Sequence, residues 1–392
     1  MPISKGNRLY LEKYHLTEYK SIEDLTVDFK RDLNILIGKN GAGKSNLLEA
    51  IYITLKYRNI LTRRFPFKVV KADFITSAND NVHLEIIKLK RANLKGNDDE
   101  YEYEGHEFSE VLYINDSIAY NNLATGSPSQ EKLARSLRFA FNRVKVRFGS
   151  PVYIRYSIPD DMEFITSPGE IKVPLEDPDM LEIPFSLSMI DRCFEKFETL
   201  MVDGDILPSK INKKYLLDNI LADDVFLNNL RKFSPIKGFK LNENINIYND
   251  DKQLIIENLK FDFYVDDKWM PWSYLSDGTK RLFYLIAQVT GSDGRLILIE
   301  EPELGVHPHQ FNLLMHFLKE QSQYSQIIMS THSPAALDHL DQDELDRVLI
   351  AYASENGTKI KRMAPDQRNT AIKYMNEVGS LSDYWIMSDL EE

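Results

Sequence analysis

A chain of 392 residues exceeds one average domain, and its 43% hydrophobic content is enough for a sizeable core. No apolar run approaches the ~20 residues that a membrane span requires, Met1 to Gly6 carries no secretory signal, and the single cysteine, Cys193, excludes an intrachain disulfide and a Cys-based zinc site. The formal charge of −12 excludes a chain coated in nucleic acid, and the expected location is cytoplasmic, with no membrane partner.

The first elements read as strands: Leu9 to Leu11, a polar turn, Ile22 to Phe29, and Leu33 to Ile37. A glycine loop at 38–43 leads into helical spacing at Asn46 to Tyr52, and further strands are expected at Val82 to Lys90 and Tyr101 to Ile114. From about 127 to 245 the texture becomes mostly helical, with a strand at Val152 to Tyr156, a proline-rich acidic stretch at Glu163 to Pro184 and helices at Ser129 to Phe141, Met189 to Met201 and Lys213 to Lys232. Within it, the block Lys132 to Arg155 carries seven basic and no acidic residues, so it is a candidate contact for nucleic acid or for an acidic partner. A helix at Asp277 to Val289, a wholly apolar strand at Arg295 to Ile299, a helix at Pro308 to Gln321 and a strand at Gln326 to Met329 follow. Trp269 and Trp272 are expected in the core, as is Cys193.

Four segments carry chemistry. Gly38-Lys39-Asn40-Gly41-Ala42-Gly43-Lys44-Ser45 fits the phosphate-loop pattern, with a strand before it and a helix, opening at Asn46, after it. Glycines let successive backbone N–H groups turn inward around phosphates, and the helix aims its positive end at them. Lys44 brings a charge to the β- and γ-phosphates of ATP, and the Ser45 hydroxyl can ligate Mg²⁺. The apolar strand ending in Glu300-Glu301 delivers two carboxylates, the first suited to hold the metal and the second to orient the attacking water. Ser276 stands at the N-cap of the third segment, where Gly278 leaves N–H groups able to meet an anion. His332, in Ser330-Thr331-His332-Ser333-Pro334, follows a strand at the sheet end where ligands bind in α/β folds.

Taken in order, these segments resemble the ABC ATPases. The phosphate loop matches Walker A, 296–301 matches Walker B with its catalytic glutamate, 275–281 the signature, His332 the switch histidine, and Leu304 to His307 the D-loop. The wording around the loop, the Glu-Glu-Pro-Glu run at 300–303 and the Ser-Thr-His-Ser-Pro run are similar to the SMC, RecF and OLD branch. Residues 377–385 are similar to the tail of prokaryotic defence-associated ATPases. Two departures stand out: Glu300 where Walker B usually carries Asp, and Asp277 in place of the signature's second glycine.

The resemblance implies an α/β, two-lobed ATPase head with an antiparallel β-subdomain, divided into lobe I (1–126), the mostly helical insertion (127–245) and lobe II (246–392). It also implies an ATP-hydrolysing switch whose heads dimerise on ATP, Ser276 and Gly278 of one covering the nucleotide held by Lys44 of the other. The expected output is control of a separate effector in anti-phage defence or toxin control. The alternative is a repair or chromosome-maintenance ATPase of RecF or SMC type that acts on DNA directly.

Overall fold

The computed structural model describes residues 9–56, 67–77, 79–88, 108–121, 152–154, 170–174, 224–241, 244, 246–250, 253–257, 261–290, 296–388 and 390. Two compact units form: residues 1–154, 294–302 and 322–392 make the first, and 155–293 and 303–321 the second. Of the basic block, only the backbone of 152–154 is described; the remaining residues of that block, residues 189–201 and Cys193 lie outside the described residues.

The first unit contains two sheets. One is antiparallel, ordered β2-β1-β4-β5-β6-β7, from β1 (Leu9–Tyr19), β2 (Ile22–Asp28), β4 (Val69–Thr76), β5 (Asn81–Lys88), β6 (Phe108–Ile114) and β7 (Ser117–Asn121). The other is ordered β18-β17-β3-β16-β15-β8, from β3 (Leu33–Ile37), β8 (Val152–Ile154), β15 (Leu296–Glu300), β16 (Gln326–Thr331), β17 (Val348–Ser354) and β18 (Gly357–Lys361). Its strands run parallel except for the β17–β18 hairpin. Strands β3 and β15, apolar but for Asn34 and Glu300, are buried along their length, as a sheet covered on both faces requires.

Helix α1 (Lys44–Lys56) packs on β15 and β16. Its Leu47, Leu48, Ala50 and Ile51 join Leu36, Leu298, Ile328 and Leu349 of the sheet in one buried cluster with Leu11, Tyr14 and Leu16 of β1. Burying each of the larger aliphatic side chains contributes about 1.5–3 kcal/mol. Gln326 ties the two sheets together: its amide donates to the carbonyls of Leu11 (2.8 Å) and Lys30 (2.7 Å), and its Oε1 accepts from the Leu11 amide (2.8 Å).

Two expectations need correction here. The turn expected after Leu11 is strand: β1 continues to Tyr19, and a bulge between Leu11 and Lys13 shifts the buried phase from Leu11 to Tyr14 and Leu16. That shift breaks the period-two alternation that marks a strand in sequence. β9 (Glu170–Pro174) lies where a loose acidic stretch was expected, whereas the strand expected at Val152 to Tyr156 is found as β8, at the edge of the parallel sheet.

In the second unit, β9 pairs with β12 (Gln253–Glu257), which pairs with β11 (Asn246–Asp250). A further sheet is ordered β10 (Gly238–Leu241), β13 (Phe261–Val265), β14 (Lys268–Pro271). Helices α2 (Asp224–Phe233), α3 (Asp277–Thr290) and α4 (Pro308–Gln321) pack on one another. Phe283 of α3 meets Phe226, Phe263 and Trp272 edge-on or tilted, at ring separations of 5.8, 5.1 and 5.6 Å. Trp272 is thus core, as expected. Trp269 is not: it is 48% exposed on β14, beside Tyr264, with the Lys240 ammonium 4.7 Å from its ring. Two helices close the first unit, α5 (Pro365–Glu377) and α6 (Leu381–Met387). No helix among the described residues is long and apolar enough to cross a membrane.

Candidate nucleotide site

The parallel order β3-β16-β15 brings three chain ends to one edge of the sheet. The phosphate loop leaves β3, Glu300 and Glu301 end β15, and His332 follows β16. Registers decide which face each side chain takes, because residues paired across parallel strands share a face. Leu349, Leu36, Ser330 and Glu300 form one such row. Leu36 and Leu349 belong to the cluster built around α1, so Glu300 lies on the face that carries the phosphate loop and its helix. Glu300 is 4% exposed.

Lys44 is buried, and its ammonium donates to the carbonyls of Gly38 (2.6 Å) and Lys39 (3.0 Å), so the charge curls across the loop that it closes. Lys39, Asn40 and Gly41 are exposed, Ala42 and Gly43 buried, and Ser45 is exposed on the first turn of α1. The Asn46 side-chain amide donates to Ser21 Oγ (2.7 Å), which leaves its first-turn backbone N–H as the group able to meet an anion.

Ser21 belongs to a second, unexpected layer. Its hydroxyl bonds Thr358 Oγ1 (2.7 Å), and its carbonyl accepts from the Thr358 amide (2.7 Å). Thr358, at the start of β18, is buried against the loop: a Cβ added to Gly43 would stand 2.0 Å from Thr358 Oγ1. Gly43 also has φ +88°, in the left-handed region that side chains resist. Gly43→Ala is therefore expected to lower nucleotide affinity at least tenfold, with strain of about 1–3 kcal/mol. Adding Thr358→Ala should recover part of the loss by removing the clash but not the backbone strain. Calorimetric titration of both variants with ATP checks this; equal affinity in Gly43→Ala and wild type refutes it. The Asn356-Gly357 pair is a strong hairpin signal in the sequence, but nothing local says that the hairpin walls the loop.

Glu301 leaves the strand at φ +42°, a strained backbone for a residue with a side chain, and its amide donates to the Ser330 carbonyl (2.9 Å). Its Oε1 lies 3.7 Å from Nδ1 of His332, close enough to pair when the imidazole is protonated. The structure thus brings together the carboxylate and the histidine that the sequence singled out separately.

The candidate adenine-stacking tyrosines divide. Tyr14 is core: its hydroxyl bonds Thr54 Oγ1 (2.8 Å), and burial pushes its phenol well above the ordinary range. Tyr19 is also buried, its ring 4.6 Å from that of Phe67. Tyr10 is half-buried, with the Arg31 guanidinium 5.8 Å from its ring.

Ser276 and Gly278 lie in the second unit. Ser276 caps α3 as expected, its Oγ accepting from the Thr279 amide (3.2 Å) and meeting Thr279 Oγ1 (2.9 Å). Gly278 also answers a steric need. It is buried, and a Cβ there would stand 2.8 Å from the Gly305 carbonyl, so glycine is required by the close approach of the 304–307 turn. Asp277 is exposed, 3.5 Å from the Lys280 ammonium.

The donor set on the loop face suits a hard cation. Ser45 and Glu300 supply oxygen, and Mg²⁺ takes few protein ligands where phosphates and water complete its shell. The Ser330 hydroxyl, in the same row as Glu300, is fully buried and has no hydrogen-bond partner, as a position beside such a shell would leave it.

This fold and this loop define an ATP-binding P-loop NTPase head of the SMC and RecF type. The Smc head domain from Pyrococcus furiosus with an extended coiled coil, bound to the C-terminal domain of ScpA, superposes with TM-score 0.50 at 15% identity, covering 94% of this chain and all of that one. A SmcHead bound to the C-winged helix domain of ScpA does so at 0.51 and 14% identity, over 92% and 99%. The chain belongs to the family described as "AAA domain, putative AbiEii toxin, Type IV TA system", which matches residues 33–338. Among curated proteins it is similar to the DNA replication and repair protein RecF of Ligilactobacillus salivarius, 47% identical over 51 residues (13% of this chain and 14% of that protein). RecF of Bacillus cytotoxicus is 25% identical over 195 residues, 47% of this chain and 50% of that protein. The chain therefore spans between about a seventh and half of the length of these relatives.

Proposed function

We propose that this protein is a cytoplasmic, ATP-hydrolysing switch whose heads dimerise on ATP and control a separate effector in defence or toxin control. The observation that carries the reading is the convergence at one sheet edge of the phosphate loop, the Glu300–Glu301 pair and His332. In this reading the loop N–H groups, from Gly38 to Asn46, and Lys44 bind the phosphates, and Ser45 and Glu300 hold Mg²⁺, which neutralises phosphate charge when bound. Glu301 accepts a proton from the attacking water, and His332 holds that carboxylate in place. Ser276 and the α3 start it caps would meet the nucleotide of the opposing head, with Gly278 shaping that surface. The family description, with its toxin and Type IV toxin–antitoxin wording, supports the toxin-control output. The test is sedimentation of purified protein with and without Mg²⁺-ATP, together with phosphate release: a monomer in both conditions with no release would overturn the reading.

The RecF similarity favours a second reading, direct action on DNA. Its candidate contact is the basic block Lys132 to Arg155. Reversing Arg135, Arg138 and Arg143 to glutamate is expected to lower the salt slope of DNA binding by about three while leaving ATP hydrolysis unchanged. Filter binding across a salt series decides it. Unaltered binding removes the block as a contact.

A further inference from the structure

We propose that Ser330 is a positioning residue of the cation site, its hydroxyl hydrogen-bonding the water shell of the divalent cation that accompanies the nucleotide. The inference rests on the reading that Glu300 and Ser45 hold that cation, and it adds a third oxygen.

Strand β16 is the central neighbour of both β3 and β15. Ser330 pairs with Leu36 on one side and Glu300 on the other, so its side chain takes the face that carries α1, one strand from the Glu300 carboxylate. Adjacent strands lie about 4.8 Å apart, which puts a short serine side chain next to the carboxylate rather than across it. Ser330 is wholly buried, and its Oγ has no partner. The neighbouring Thr331 is buried too, but its hydroxyl accepts from the Ser333 amide (2.9 Å). Asp32, Arg362 and Arg368 each have one unpaired buried atom in this unit as well, but each has further polar side-chain atoms, and those of Asp32 and Arg362 reach partners. Ser330 has a single side-chain polar atom, so its whole polar group is unsatisfied.

A buried hydroxyl without a partner destabilises the fold that contains it, and alanine or valine would suit this buried strand position better. Such an unfavourable group beside the candidate metal carboxylate is explained if it is satisfied only in the nucleotide-bound state. Mg²⁺ keeps several of its waters when it binds beside phosphates, and those waters need oxygen acceptors in their outer shell. The Ser330 hydroxyl supplies one at the row where Glu300 supplies another.

The experiment is Ser330→Ala in the full chain, titrated calorimetrically with the non-hydrolysable analogue AMP-PNP, in EDTA and across a Mg²⁺ series. Expected are analogue affinity in EDTA within about twofold of wild type, a Mg²⁺ half-saturation point raised about five- to tenfold, and an apo melting temperature equal to or above wild type. Ser330→Cys, similar in size and a weaker hydrogen-bonding group, should fall between the two. An unchanged Mg²⁺ half-point overturns the proposal, and so does a lower apo melting temperature, which would mean that the hydroxyl serves the fold. If wild type itself gains no affinity from Mg²⁺, the assignment of Glu300 and Ser45 fails instead, a result separable from the behaviour of the variant.

Discussion

Lys44→Ala is expected to lower ATP affinity by about two to three orders of magnitude while leaving the fold intact. Hydrogen bonds from a charged donor to phosphate are worth about 1.5–3 kcal/mol each, and each 1.4 kcal/mol is a factor of ten. The ammonium is already held within the loop by the carbonyls of Gly38 and Lys39, so binding requires little reorganisation of this side chain. No other cation of the loop can substitute: Lys39 is exposed on its outer turn. The fold should survive, because the cluster beneath the loop is anchored by Leu47, Leu48 and Ile51 rather than by Lys44. Titration of the purified variant with ATP decides the matter, with circular dichroism as the control. Wild-type affinity in a folded variant would remove the loop from the phosphate-binding role.

Glu301→Gln is expected to bind ATP normally and to hydrolyse it about 10²–10⁴-fold more slowly, the usual contribution of a positioned general base. The amide keeps the shape of the side chain but loses the basic oxygen that lies 3.7 Å from His332. Glutamine also carries the same backbone demands, so the strained φ of +42° at this position is neither relieved nor worsened. With binding intact and turnover blocked, the ATP-bound dimer should accumulate and elute at twice the monomer mass in sizing experiments. Glu300→Gln should differ in kind, raising the Mg²⁺ requirement. Turnover at the wild-type rate in Glu301→Gln would assign the base elsewhere.

The phosphate loop, the carboxylate pair and His332 were legible in the sequence because each depends on local order: strand, then loop, then helix, or a buried strand ending in charge. Ser276 as a cap was legible for the same reason. What was not legible depends on register or on distant segments. The bulge at Leu11/Lys13 hid the length of β1 by breaking its alternation. Trp269 and Trp272 look equivalent in sequence, yet one faces outward on an edge strand and the other enters the Phe263–Phe283 cluster. The steric need for glycine at 278 depends on the Gly305 carbonyl set against it, which no local pattern announces. Ser330 enters the sequence reading only as the first letter of the Ser-Thr-His-Ser-Pro run, because its significance lies in which residues of β3 and β15 stand beside it.

The contact between Ser21 and Thr358 spans 337 positions of the chain, and it is the same threonine that backs Gly43. During synthesis, then, the phosphate loop acquires its wall only after the chain has been extended past Thr358. Nascent chains lacking the β17–β18 hairpin carry every phosphate-loop residue yet have neither the partner of Ser21 nor the surface behind Gly43. Nucleotide is therefore expected to act as a folding ligand chiefly for chains extended past the β17–β18 hairpin, and truncation before residue 348 is expected to weaken that effect.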